Sequence, residues 1–223
     1  MDINIKDKTN FGWFYGTHKR ITRMALKDLP NLRKYQDVIE EFVQRPDFDE
    51  QGIFNNWHFF SPIQQKSFFD FKCKGNAVAK YEEHVKKILE NANKNINLCI
   101  EHTGRALHFL QDMTQPHHTQ KSFFFNKIFN LKTHLSFEKF VKKTQNEYFE
   151  SYITEPFKNL SFKNLIMENI KSSSEYRFPT TKNRYIWDQF GRKGIHQAIF
   201  STKEFLTKID KLISNDKQYK LPF

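Results

Sequence analysis

The chain has 223 residues and a mass of 26.9 kDa, a length that fits one good-sized domain. Its 25 phenylalanines supply enough apolar surface to exclude a disordered polymer, and no apolar run approaches the roughly 20 residues of a membrane-spanning helix. The 36 lysines and arginines outweigh the 25 aspartates and glutamates, and the resulting +11 favours phosphate-bearing partners, nucleic acid or an anionic membrane surface, without choosing between them.

In chain order the pattern predicts helix almost throughout. Residues 1–12 read as a polar leader, lacking the apolar stretch of a signal peptide, and residues 13–223 read as one domain. The expected location is therefore cytoplasmic, or secreted by a route without a recognisable signal peptide. Thr17 is the expected N-cap of a helix running to Leu29, where Pro30 stops it. Leu32, Tyr35, Val38, Ile39 and Phe42 carry helical spacing and predict a second helix from Leu32 to Val43. From Arg45 to Lys74 the periodicity fails, which predicts a long loop whose aromatic density implies order. Helix resumes near Asn76 and reaches Met113 with a break around Asn91–Asn95. Residues 119–133 read as a connection containing Phe123, Phe124, Phe125 and Phe129. Helices follow at about His134–Tyr152, Ser161–Ser172 and Arg184–Ser214, the last with an expected break at Gly191–Gly194. With 7 glycines and no internal repeat, a turn-rich β architecture does not fit, and the reading is a single all-α domain. Cys73 and Cys99 form no CxxC pair and are expected as two buried thiols.

The chemistry lies in the spacing of histidines and carboxylates. His108 and Asp112 stand four apart in a helix and so project from one face, one turn from each other. His134 and Glu138 repeat that spacing. An imidazole and a carboxylate so placed can chelate one borderline cation such as Zn²⁺. Between the two pairs, Gln115-Pro116-His117-His118 ends the first helix and delivers a further imidazole. Of the other histidines, His84 is expected at the surface, while His102, His117 and His196 are expected to miss the metal face. No phosphate-binding glycine loop or dinucleotide fingerprint is present.

The segment from His108 to His118, His-Phe-Leu-Gln-Asp-Met-Thr-Gln-Pro-His-His, resembles the H-x3-D-x3-[QT]-P-x-H motif of the zinc-dependent phospholipase C family of bacteria, which includes the catalytic domain of clostridial alpha-toxin. Thr17-His18 with Ile21 and Ala25-Leu26, Pro46-Asp47 with His58-Phe59-Phe60, and His134-x3-Glu138 resemble its flanking motifs in the same order. Fungal single-strand-specific nucleases share that fold and metal plan. The resemblance implies two or three zinc ions: one held by His58, His108 and Asp112 with Asp47 as ligand or base, a second by His118, His134 and Glu138, and a third by His18 and Asp112. In the family an N-terminal tryptophan completes the third site through its amine. Trp13 is the counterpart, but twelve residues precede it, so its nitrogen is an amide unless the leader is removed. Ser61 stands where the phospholipases commonly carry aspartate. The implied activity is hydrolysis of a phosphodiester by metal-activated water, with Asp47 catalytic. A phospholipid or membrane surface is the first expected substrate. A nuclease on nucleic acid is the alternative, as is a non-catalytic zinc-binding member.

Overall fold

The computed structural model describes residues 15–50, 57–60, 76–119, 127–175 and 183–214, with the side chains of Tyr15 and of residues 127–132 outside that description. The leader and its boundary, Trp13, Ser61, Cys73 and the Phe123–Phe125 cluster with the Phe129 ring therefore lie outside the described residues. Among the described residues every regular element is helical: α1 Tyr15–Leu26, α2 Pro30–Arg33, α3 Gln36–Phe42, α4 Pro46–Asp49, α5 Ala77–Asn91, α6 Ile96–Asp112, α7 Lys127–Glu150, α8 Phe162–Ser174 and α9 Arg184–Ile213, with a 3-10 turn at Pro116–His118. No described helix is long and apolar enough to cross a membrane.

Side-chain caps set several helix starts. Asn76 accepts from the Ala79 amide at 2.9 Å to open α5, and Asn95 accepts from Leu98 at 3.2 Å to open α6. Ser161 opens α8 and Asn183 opens α9 by the same device. Two apolar clusters result. Ile88, Leu107, Phe109, Phe162, Ile166 and Phe205 belong to one, joining α5, α6, α8 and α9. Ile21, Phe137, Tyr148, Trp187 and Ile199 belong to the other, joining α1, α7 and α9. Helix α9 is common to both.

Several boundaries differ from the sequence expectation. Helix α1 ends at Leu26, and Thr17 sits inside its first turn, donating to Gln145 Oε1 at 3.0 Å rather than capping. Pro30 opens a helix instead of closing one, because its fixed φ suits a first turn. The Leu32–Val43 helix is split into α2 and α3. Asp210 on α9 accepts from the Leu32 amide at 2.9 Å and from Asn31 at 3.0 Å, anchoring α2 separately. Within the expected loop, Pro46 starts the short α4, and α7 begins at Lys127 rather than His134. Helix α9 runs unbroken through Gly191. A Cβ there would lie 2.9 Å from both Tyr148 and Val141, so the residue serves close packing of α9 on α7. The break around Asn91–Asn95 is present, and Cys99 is buried, its thiol pushed up to about 11 by that burial.

Candidate metal centre

Six segments supply the site. Helix α1 brings His18, the start of α4 brings Asp47, and the short turn after residue 56 brings His58. The last turn of α6 brings His108 and Asp112, and the Pro116 turn and α7 bring His118, His134 and Glu138. These eight side chains are all buried, from 0% exposed at His18, His108, Asp112 and His118 to 4% at His134. Their donor atoms fall into three groups, each within 4.8 Å: His18, His108 and Asp112; Asp47, His58 and His108; His118, His134 and Glu138. Asp112 is the hub. Its Oδ2 lies 2.9 Å from His58 Nδ1 and 3.2 Å from His108 Nε2, and its Oδ1 lies 3.5 Å from His18 Nε2. Asp47 Oδ1 is 3.6 Å from His108 Nε2, and His134 Nε2 is 2.7 Å from Glu138 Oε1.

Surrounding groups set the ring orientations. His108 Nδ1 donates to the Val43 carbonyl at 2.8 Å, and His118 Nδ1 donates to the His58 carbonyl at 2.7 Å, so both rings turn Nε2 towards the centre. Gln111 Oε1 lies 2.7 Å from His18 Nδ1, and Gln115 Nε2 donates to Glu138 Oε1 at 3.0 Å. Phe59 stacks on His118 at 4.7 Å between ring centroids. The approach of α3 to α6 that places Val43 depends on Gly104, where a Cβ would meet Phe42 Cβ at 2.6 Å and the Ile39 carbonyl at 2.9 Å.

Electrostatics separate the two aspartates. Burial alone would push the Asp112 carboxyl up, but His108 and His118 outweigh it and hold Asp112 well below the usual carboxylate range. Asp47 goes the other way, raised by burial that its histidine neighbours do not offset. Burial pushes His118 down to about 3, which keeps it neutral and able to ligate.

These residues fit a cation. His18 Nε2, His58 Nε2, His118 Nε2 and Asp112 Oδ1 are buried without a hydrogen-bond partner among the described residues. Leaving a buried polar atom unsatisfied costs about 1–3 kcal/mol each. Such atoms on imidazole and carboxylate, within or beside the three donor groups, make a donor set suited to Zn²⁺.

No protein-family model matches the sequence, and no curated protein matches it. Solved structures do match. The alpha-toxin of Clostridium absonum superposes with a TM-score of 0.74 at 18% identity, over 96% of this chain and 67% of the toxin chain. The chain has the alpha-toxin fold. The Clostridium perfringens alpha-toxin from avian strain SWCP superposes with a TM-score of 0.66 at 14% identity, over the same 96% and 67%. The expected all-α architecture and the resemblance drawn from the motifs are thus carried by the alpha-toxin fold, at sequence identities that speak for the fold alone.

Within that fold the remaining histidines are distributed unevenly. His84 is buried rather than exposed: its Nε2 lies 2.9 Å from Glu50 Oε2, and its Nδ1 lies 3.1 Å from His102 Nδ1. Its spacing from Ala77, Tyr81 and Ile88, all on the buried face of α5, carried that information in the sequence. His102 faces His84, His117 stacks on His134 at 4.7 Å, and His196 Nε2 donates to the Tyr148 carbonyl at 2.8 Å. Gln111 and the carbonyls of Val43 and His58 were not singled out from sequence, and Gln115 was read only as part of the motif that ends the helix. A backbone carbonyl carries no residue signature, and a glutamine in a helix is ordinarily a surface residue.

Proposed function

We propose that the chain is a zinc-dependent phosphodiester hydrolase, a phospholipase C acting on phospholipid head groups. The observation that carries this is the burial of eight donor side chains in three neighbouring groups, two of which share His108. Their order along the chain is that of the phospholipase motifs, and Glu138 supports the phospholipase over the nuclease, which commonly uses aspartate there. His58, His108 and Asp112 would hold one ion with Asp47 beside it, His118, His134 and Glu138 a second, and His18 with Asp112 a third.

When bound, such ions supply Lewis acidity that neutralises charge developing at phosphorus and makes a water more acidic. The protein's own groups do the rest. Asp112 stays ionised and supplies a fixed negative charge shared between His18, His58 and His108. Asp47, at the start of a helix held beside His108, takes the proton of the attacking water. Gln115 fixes one oxygen of Glu138, and Phe59 packs against His118 and limits solvent there.

A single-strand nuclease is the second reading, favoured by the +11 charge and by a groove where Arg20, Arg23, Met24 and Lys27 of α1 meet Phe149 and Glu150. The discriminating experiment assays one preparation, with zinc, on phosphatidylcholine vesicles and on single-stranded DNA. Release of phosphocholine without DNA cleavage supports the phospholipase. DNA cleavage alone supports the nuclease, and neither activity in zinc-loaded protein rejects the hydrolase.

A further inference from the structure

Gln111 immediately precedes Asp112 on α6 and is completely buried, as are His18, Thr22 and Thr202 around it. Its Oε1 lies 2.7 Å from His18 Nδ1, while its Nε2 donates to Thr22 Oγ1 and to Thr202 Oγ1, each at 3.1 Å. One side-chain amide therefore joins α1, α6 and α9 at the edge of the metal centre, with both its N–H groups and its oxygen engaged. For His108 and His118 a backbone carbonyl fixes the ring, and a carbonyl can only accept. For His18 the fixing group is an amide, which presents opposite chemistry at its two ends.

We propose that Gln111 is the positioning residue for His18. Its oxygen holds the Nδ1–H tautomer, leaves the Nε2 lone pair aimed at Asp112 Oδ1 across 3.5 Å, and so sets the affinity of the cation position those two residues share. The proposal rests on the metal-centre reading above. An amide turned end for end would give an N–H to Nδ1 and require the Nε2–H tautomer, placing a proton where the cation has to sit. In the observed orientation, the hydroxyls of Thr22 and Thr202 take both N–H groups and leave the oxygen for His18.

The test compares the full chain with Gln111→Met and Gln111→Glu, using two readouts besides activity. Zinc affinity is measured for each ion by chelator competition, and the His18 tautomer by long-range ¹⁵N–¹H spectra of metal-free protein at alkaline pH, where imidazole is neutral. The expected tautomer in the parent chain is Nδ1–H. Gln111→Met, which keeps the volume and loses the acceptor, is expected to weaken one zinc per chain by about tenfold to a hundredfold and to leave the others unchanged. Gln111→Glu, which keeps an acceptor, is expected to retain that zinc. An Nε2–H tautomer in the parent, or parental affinity for every zinc in folded Gln111→Met, overturns the proposal. If Gln111→Met does not fold, loss of one zinc in folded Gln111→Glu overturns it, and retention with the Nδ1–H tautomer upholds it. A parent chain that binds no zinc refutes the functional reading, and the metal-free spectrum still decides the tautomer.

Discussion

Asp47 and Asp112 are both buried carboxylates within reach of His108, yet their surroundings divide their roles. Asp112 is ringed by imidazoles that stabilise its charge, whereas Asp47 pays more for burial than its neighbours return. That asymmetry suits a fixed ligand and a proton acceptor respectively. Asp47→Asn should therefore lower turnover by about a hundredfold or more, within the range of general-base catalysis, while keeping the zinc held by His118, His134 and Glu138 and the thermal transition. Hydrolysis at the parental rate would remove Asp47 from the mechanism. Residue-level chemistry was the most legible part of the sequence, because i,i+4 His/carboxylate pairs on a helix announce themselves by spacing. The orienting partners did not, since Val43 and His58 act through their carbonyls and Gln111 and Gln115 gain meaning from burial.

At the scale of elements, the position of Asp47 depends on how the four residues of α4 are held. Glu50, at its end, binds His84 Nε2 at 2.9 Å and Arg105 at 2.6 Å, with Lys80 at 3.4 Å, and Arg105 also grips Asp49 at 2.8 Å. Although burial pushes the Glu50 carboxyl up, His84 and Arg105 hold it well below the usual range. A depressed carboxylate stabilises the fold above its unfolded value of about 4.3, and that stabilisation is lost as pH falls towards the native value. Glu50→Gln should thus cost about 3 kcal/mol at neutral pH, a cost that shrinks below pH of about 4. Urea unfolding of both proteins at neutral and acid pH reads it, and a pH-independent difference would contradict the account. Gly104 makes the second element-level case. Gly104→Ala should destabilise the fold by about 1–3 kcal/mol and weaken zinc binding, since α3 must retreat and take the Val43 carbonyl from His108. A parental transition temperature and parental zinc affinity would show that the contact relaxes without consequence. Helix existence was readable from periodicity, but α2 and α3 were merged because the anchor separating them, Asp210, lies far along the chain. Gly191 looked like a breaker for the same reason: only its packing on Tyr148 and Val141 explains it.

For the whole molecule, two apolar clusters share α9, and the candidate metal centre gathers α1, α4, α6 and α7 with the turns at His58 and Pro116. Cations bound at such a centre would cross-link elements far apart in sequence, and ligands that bind only the native state stabilise it. Chelation should accordingly lower the thermal transition, with recovery on adding zinc back, and a chelator-insensitive transition would argue against a metal in the core. The all-α class was legible from helical spacing and few glycines, whereas the convergence of distant segments on Asp112 was implied only by the motif resemblance. The most direct measurement is elemental analysis of the full chain purified without added metal. The account predicts two or three zinc ions per chain, and less than one ion of any transition metal per chain would contradict it.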